Sequence, residues 1–146
     1  MEDSLRNLLD KLELNEDNGL FLKEDTLKIN SRIKNSLKYI NYDAIYILDE
    51  NPLIIFKEFD TYSKKEIHDF RKVIWNLNDV PIIFIILPDE IQVYNSNIFD
   101  DDESILGKFS KDDELEIFNI YNLANGTFFI NTTIHLIIQK EFKITY

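Results

Sequence analysis

The chain has 146 residues, 45% of them hydrophobic and 13% aromatic, which predicts one globular domain with a real core and excludes a disordered chain. It has no cysteine, which excludes disulfides, thiolate zinc sites and cysteine nucleophiles. The formal net charge of −11 is the opposite of the usual basic footprint of a nucleic-acid binder, so a role on DNA requires another domain, a metal ion or mimicry of DNA.

Residues 1–41 are predicted to form two N-terminal helices. The first spans Ser4–Leu14, and the second begins at Asn30 or Ser31. The acidic N-terminus lacks the apolar segment of a secretory signal. The longest apolar run, Val80–Leu87, is far shorter than the roughly 20 residues of a membrane helix. We therefore expect a soluble, cytoplasmic protein with no membrane contact.

Residues 42–95 are predicted to form a hairpin–helix–hairpin core. Strands over Asp43–Leu48 and Leu53–Phe59 flank a turn at Asp49–Pro52. Ser63 and Glu66 have the spacing of a capping box, which predicts a helix that ends at Asn78–Asp79 and has an apolar stripe of Ile67, Phe70, Ile74 and Leu77. An entirely apolar strand follows it. The last segment, "IQVYN", alternates between apolar and polar residues, which predicts a strand with one face toward solvent.

The remaining residues are less regular. Residues 96–112 are predicted to be an acidic loop that contains the run Asp100–Glu103. A helix over Asp113–Leu123 should end at Asn125-Gly126, and the tail to residue 146 fits a strand or a helix. The whole chain is interpreted as a single α/β (α+β) domain. It should have a mixed central sheet of about four or five strands flanked by helices, with a hairpin before a crossover helix.

The hairpin carries the candidate chemistry. In the nuclease pattern PD-(D/E)xK, one strand supplies an Asp, and the next strand supplies an acid followed two residues later by a Lys. The two acids hold a divalent cation, and the Lys positions or activates water. Asp43 and Lys57 match this pattern, but the position two residues before Lys57 is Ile55. Three interpretations stay open, namely a working metal site, an inactive descendant of one and a plain structural hairpin. We favour the inactive descendant.

If the site works, Asp43 holds Mg²⁺ and Lys57 orients the water. The displaced second acid would then be Glu58 or Glu66. In an unbroken strand the Glu58 side chain should leave the face opposite to Lys57, and Glu66 comes from the following helix. Trp75 and Asn76, near the end of that helix, are predicted interaction residues, because exposed aromatic side chains favour interfaces. No phosphate-binding glycine loop is present in the sequence.

Three stretches, taken in order, resemble the N-terminal region of large restriction-modification proteins. They are "YDAIYILDENPLIIFKEFD", "EIHDFRKVIWNLNDVPIIFIILPDEIQVYN" and "LEIFNIYNLANGTFF". The resemblance is to single-chain type II enzymes and to relatives described as N-6 adenine DNA methylases. The matching positions are Ile55-Phe56-Lys57, Trp75-Asn76, Pro88 to Asn95, and Gly126 with Phe128 and Phe129.

The resemblance implies a restriction-endonuclease-like fold, normally followed by a helical connector and a methyltransferase domain. It predicts a role in restriction-modification or phage defence, with DNA reached only through a larger protein or complex. Ile55 departs from the pattern and argues against cleavage. Two alternatives remain. One is a module that docks onto a methyltransferase or helicase partner, and the other is an acidic DNA mimic that inhibits a DNA-binding enzyme.

Overall fold

A computed structural model describes residues 2–12, 14–23, 31–48, 50–77, 80, 82–96, 100 and 103–110. The described helices are α1 (Glu2–Lys11), α2 (Ser31–Leu37) and α3 (Lys64–Leu77), with a 3-10 turn at Glu16–Asn18. The strands are β1 (Leu20–Leu22), β2 (Ala44–Leu48), β3 (Asn51–Glu58), β4 (Ile82–Ile86), β5 (Glu90–Asn95) and β6 (Ile105–Ser110).

The six strands form one mixed sheet in which spatial order equals chain order. Every neighbouring pair is antiparallel except β3 and β4, which are parallel. A parallel pair requires a crossover connection, and α3 supplies it. The α+β class, the mixed sheet and the hairpin before a crossover helix are therefore confirmed. The predicted number of four or five strands was too small.

Helices cover both faces of the sheet, because successive side chains along a strand point to opposite sides. We call the two sides the α1 face and the α3 face. The core of the α1 face joins α1 to the sheet through Leu8, Leu9, Leu12, Ala44, Ile54, Phe56, Phe84, Ile86 and Val93. The core of the α3 face joins α2 and α3 to the sheet through Ile33, Leu37, Ile67, Ile74, Ile45, Ile55, Ile83 and Ile85. Burying each such side chain contributes about 1.5–3 kcal/mol.

Helix α3 begins where the capping box predicts. The Ser63 Oγ accepts a hydrogen bond from the Glu66 backbone N–H at 3.3 Å, which satisfies one of the unpaired donors of the first turn. Ile67 and Ile74 are buried from one side of the helix, as predicted. Trp75 lies 43% exposed beside them. The local sequence therefore determined the start and the buried stripe of this helix.

Two strands, and the solvent exposure of a third, differ from the predictions. β1 was not predicted, and β6 lies inside residues 96–112, which were predicted to be a loop. Its sequence, "ILGKFS", has weak strand character, and its pairing with β5 supplies the order that the sequence pattern lacks. The prediction that one face of β5 meets solvent was wrong. Gln92 and Asn95 are buried beside the apolar residues of the strand.

Gly19 joins the 3-10 turn to β1 at a position that only glycine fills without strain. Its φ is +113°, and an added Cβ would collide with the carbonyl oxygen of Ile47. The Ile47 N–H donates to the Gly19 carbonyl at 2.8 Å. This close approach holds β1 against β2.

Several predictions fall on residues outside the described part of the chain. They are the turn residue Asp49, the helix end at Asn78–Asp79, the acidic residues Asp101 and Asp102, the helix over Asp113–Leu123 and the tail that follows it. Among the described helices, none is long and apolar enough to cross a membrane.

Candidate functional site

The hairpin brings the two predicted site residues together. Ala44 pairs with Phe56, so the residue before Ala44 stands opposite the residue after Phe56. These are Asp43 and Lys57, and the distance from the Lys57 Nζ to the Asp43 Oδ2 is 3.9 Å. The pair lies at the carboxyl ends of the parallel strands β3 and β4, where α/β sheets commonly bind ligands.

The Asp43 carboxylate is held by the backbone of the neighbouring strand. Its Oδ2 accepts a hydrogen bond from the Glu58 N–H at 2.7 Å. The Asp43 N–H donates to the Phe56 carbonyl at 2.9 Å, and the Asp43 carbonyl accepts from the Lys23 N–H at 3.0 Å. The side chain thus extends the β2–β3 ladder by one bond beyond the start of β2. Asp43 therefore has a structural role at this position.

Lys57 lies under the aromatic residues that join β3 to α3. Its side chain is 14% exposed, and its Nζ lies 5.8 Å from the centroid of the Phe59 ring. Phe59 in turn meets Phe70 of α3 edge to face, at 6.2 Å between centroids. The aliphatic part of Lys57 is thus covered, while its ammonium group reaches Asp43. This lowers the number of conformations open to the lysine and fixes the charge near the carboxylate.

The position two residues before Lys57, where the nuclease pattern requires an acid, is closed to solvent. Ile55 is fully buried, and its packing belongs to the core of the α3 face. The one irregularity in the β2–β3 pairing leaves Leu53 as an extra residue, upstream of Ile55. From Ile54 to Glu58 the pairing with β4 is regular. No bulge therefore separates Ile55 from Lys57 or turns a neighbouring carboxylate toward Asp43.

The other predicted ligands do not join Asp43. The Glu58 side chain leaves the opposite face of β3 from Lys57, because the two residues are adjacent in a regular strand. Glu66 lies exposed in the first turn of α3. Within the described ranges, no three or more His, Asp or Glu side chains are grouped closely enough to hold a metal ion. The donor set around Asp43 therefore does not fit Mg²⁺, and we derive no metal-dependent step.

A second polar group on the α3 face was missed by sequence reasoning. Arg71 of α3 is 3% exposed, and its Nη2 donates to the Ser104 Oγ at 2.5 Å. Its Cζ lies 4.4 Å from the centroid of the Tyr94 ring, in a cation–π arrangement. The signal was present in the helix pattern, because Arg71 occupies the same stripe as Ile67 and Ile74.

The network continues along β5. The Tyr94 hydroxyl donates to the Gln92 Oε1 at 2.7 Å, and the Gln92 Nε2 donates to the Glu90 Oε2 at 2.6 Å. Residues 90, 92 and 94 alternate along one strand, so all three side chains leave the α3 face. Tyr94 and Gln92 are buried, and Glu90 is half-buried. Buried polar groups are costly unless they are hydrogen-bonded, and these contacts meet that need.

Comparison with known proteins gave no match. No protein-family model, no curated protein and no solved structure is similar enough to assign the chain to a family.

The predicted interaction residues lie near the end of α3. Trp75 is 43% exposed, and Asn76 is exposed beside it. Both are separate from the Asp43–Lys57 pair. Lys57 contacts Phe59, and Phe59 packs against Phe70 in the first half of α3, so the pair lies toward the other end of this helix. The α3 face thus has two distinct features, a partly exposed acid–lysine pair and an exposed aromatic helix surface.

Proposed function

We propose that this domain belongs to a restriction-modification or related phage-defence protein and has a restriction-endonuclease-like fold whose metal site has been lost. The observation that carries the proposal is the pairing of Asp43 with Lys57 at 3.9 Å beside a fully buried Ile55. Two members of the nuclease pattern meet on one face, and the third position is a hydrocarbon that cannot bind a cation.

The order of elements supports the same proposal. Two helices and a short strand precede the β2–β3 hairpin, and α3 then crosses over to a strand parallel to β3. This is the hairpin and crossover that the resemblance to restriction-modification proteins implies. Because a fold can persist after its site has changed, the order of elements supports the ancestry of the domain and gives no support for cleavage.

Loss of the metal site predicts that divalent cations have no effect on the natural chain. Thermal unfolding should give the same Tm with Mg²⁺, with Mn²⁺ and with a chelator, because no described group of acids can bind the ion. Plasmid DNA incubated with the domain and either cation should stay intact. Cation-dependent stabilisation of the natural chain would contradict the proposal.

A gain-of-function variant tests the ancestry more sharply. Ile55→Glu places a carboxylate on the same face as Lys57 and diagonal to Asp43. It should lower the Tm, because a charge enters the core, and Mn²⁺ should recover much of that loss by neutralising it.

Two control variants separate cation binding from a general salt effect. Ile55→Gln has a similar size without the charge and should gain nothing from Mn²⁺. Asp43→Asn combined with Ile55→Glu removes the partner acid and should also lose the recovery. If Ile55→Glu folds but behaves like Ile55→Gln, the hairpin is a structural feature without a metal-binding ancestor.

A further inference from the structure

The two helices of the α3 face differ in charge from the rest of this acidic chain. α2 and α3 together contain six basic and two acidic residues, whereas α1 contains two basic and three acidic residues. Lys38, directly after α2, is exposed as well. The exposed or half-buried basic side chains of the two helices are Arg32, Lys34, Lys64, Lys65 and Lys72. The expectation from the net charge of −11, that a role on DNA requires another domain, a metal ion or mimicry of DNA, therefore does not extend to this helix layer, which is locally basic.

The exposed large hydrophobic side chains belong to the same layer. Among the described residues they are Tyr39, Tyr62, Val73 and Trp75, at 78%, 62%, 39% and 43% exposure. Tyr39 follows α2, Tyr62 precedes α3, and the other two lie within α3. The Lys38 Nζ lies 4.9 Å from the centroid of the Tyr39 ring, so a cation and an aromatic face are adjacent. One exposed ring thus follows α2, one precedes α3, and Trp75 lies within α3, which also contains the exposed Lys64, Lys65 and Lys72.

We propose that the outer surface of α2 and α3 binds single-stranded nucleic acid. Such binding combines cations that follow the phosphates with exposed aromatic rings on which unpaired bases stack. Duplex DNA hides the faces of its bases, so the exposed rings favour a single strand. Lys64 and Trp75 are about 16 Å apart along α3 at 1.5 Å per residue, which is long enough for a few nucleotides. The proposal goes beyond the proposed function, because it uses neither Asp43 nor Lys57.

Trp75 is the only tryptophan of the chain, so its fluorescence reports directly on this surface. The probe is an oligothymidylate of about 20 nucleotides, longer than common single-strand site sizes. At low ionic strength we expect saturable quenching by the single strand and at least 10-fold weaker binding of the same sequence annealed to its complement. An oligouridylate of the same length shows whether DNA or RNA is preferred.

Charge variants test the phosphate contacts. Lys64→Glu with Lys65→Glu should weaken binding at least 10-fold and reduce the salt slope by about 0.7 for each cation that is lost. Acidic residues are favourable at the start of a helix, so α3 should stay folded. The matched control is Arg6→Glu with Lys108→Glu, which reverses two exposed charges that lie outside α2 and α3. It should leave the affinity within about 2-fold of the natural value, apart from the general effect of net charge.

Aromatic variants test the stacking contacts. Trp75→Ala and Tyr39→Ala should each weaken binding about 5- to 100-fold, measured by anisotropy of a labelled oligonucleotide, with an unchanged salt slope. Tyr39→Phe keeps the ring and should bind as the natural chain does. Circular dichroism before each titration shows that the variant is folded.

Three results would overturn the proposal. The first is the absence of both quenching and an anisotropy change with either oligonucleotide at low salt. The second is equal affinity for single strand and duplex, which contradicts base stacking. The third is equally effective competition by polyglutamate, which would assign the surface to an acidic protein partner. None of these results bears on Ile55, so the metal-site proposal stands or fails separately.

Discussion

The two faces of the sheet are equally well buried but differ in chemistry. Beneath α1 the core cluster consists of hydrocarbon and aromatic side chains, such as Phe56 against Phe84 at 5.1 Å between centroids, and the polar residues that alternation adds to this face are Glu58 and the buried Asn95. The α3 face has a comparable apolar core, and it also contains the Asp43–Lys57 pair and the network from Arg71 to Glu90. Among the described residues the α1 face is therefore mainly scaffold, and the α3 face has the larger polar network.

The difference follows from strand alternation. One polar side chain in an otherwise apolar strand affects one face only, and the residues on either side of it serve the other face. On β5, Ile91 and Val93 pack under α1 while Gln92 and Tyr94 bond to each other on the α3 side. A function can thus change on one face while the packing of the opposite face stays the same.

The largest effect should come from truncation on the scaffold face. Phe84→Ala removes a fully buried ring that meets Phe56, so the free energy of unfolding should fall by about 3–5 kcal/mol. Urea unfolding measures the change. Val73→Ala, at an exposed position of α3, is the control and should cost less than about 0.5 kcal/mol. Similar losses in the two variants would break the distinction between scaffold and surface.

The next largest effect should come from Arg71. Arg71→Met keeps the length of the side chain but removes the bond to Ser104 and the contact with the Tyr94 ring, so we expect a loss of about 2 kcal/mol. Lys72→Met, one residue along and exposed, should change stability by less than about 0.5 kcal/mol. A double-mutant cycle with Ser104→Ala isolates the pair. If Arg71→Met were as stable as Lys72→Met, the network would contribute no net stability.

A smaller effect is expected at Asp43. Asp43→Ala removes the acceptor of the Glu58 N–H as well as the partner of Lys57, which should cost about 1–2 kcal/mol. Asp43→Asn keeps an oxygen for the N–H and should cost less than about 1 kcal/mol, since a partly exposed pair at 3.9 Å contributes little. Chemical denaturation of both variants compares them. Equal losses would mean that the ion pair, and not the backbone bond, stabilises the hairpin.

The smallest effect concerns pH. Burial raises the pKa of the Tyr42 phenol above its ordinary value of 10.0. The folded state therefore holds this proton more tightly than the unfolded state. The resulting stability is fully present below the unfolded pKa and is lost as the pH rises toward the raised value. Between about pH 8 and 11 the urea midpoint of the natural chain should fall relative to that of Tyr42→Phe, which lacks the titrating group. A constant difference would contradict this prediction.

Features set by neighbours in sequence were predictable. The capping residue Ser63 and the apolar stripe of α3 lie within one helix, and the meeting of Asp43 with Lys57 follows from the two-residue period of a hairpin. In each case the interacting residues are tied by local geometry. The class of the fold and the place of the acid–lysine pair could therefore be inferred from the chain alone.

Features set by distant partners were missed. β6 is weakly patterned and is ordered by its ladder with β5, and the short β1 depends on the approach of Gly19 to Ile47. Gln92 looked solvent-facing because glutamine usually is, but its amide lies buried between Glu90 and Tyr94. The contact of Arg71 with Ser104 joins residues 33 positions apart. Alternation along a single strand contains no information about such partners.

The agreement between strand order and chain order also bears on how the domain assembles. Each strand finds its sheet neighbour as soon as the next segment of chain is present, and only the β1–β2 and β3–β4 steps wait for an intervening helix, which is α2 in the first case and α3 in the second. Contacts that are close in sequence have a low cost of loop closure, and such topologies fold faster than those that depend on distant pairing. During synthesis on the ribosome, β1, β2 and β3 can pair before α3 has emerged. The step that limits folding should then be the docking of α3 with β4.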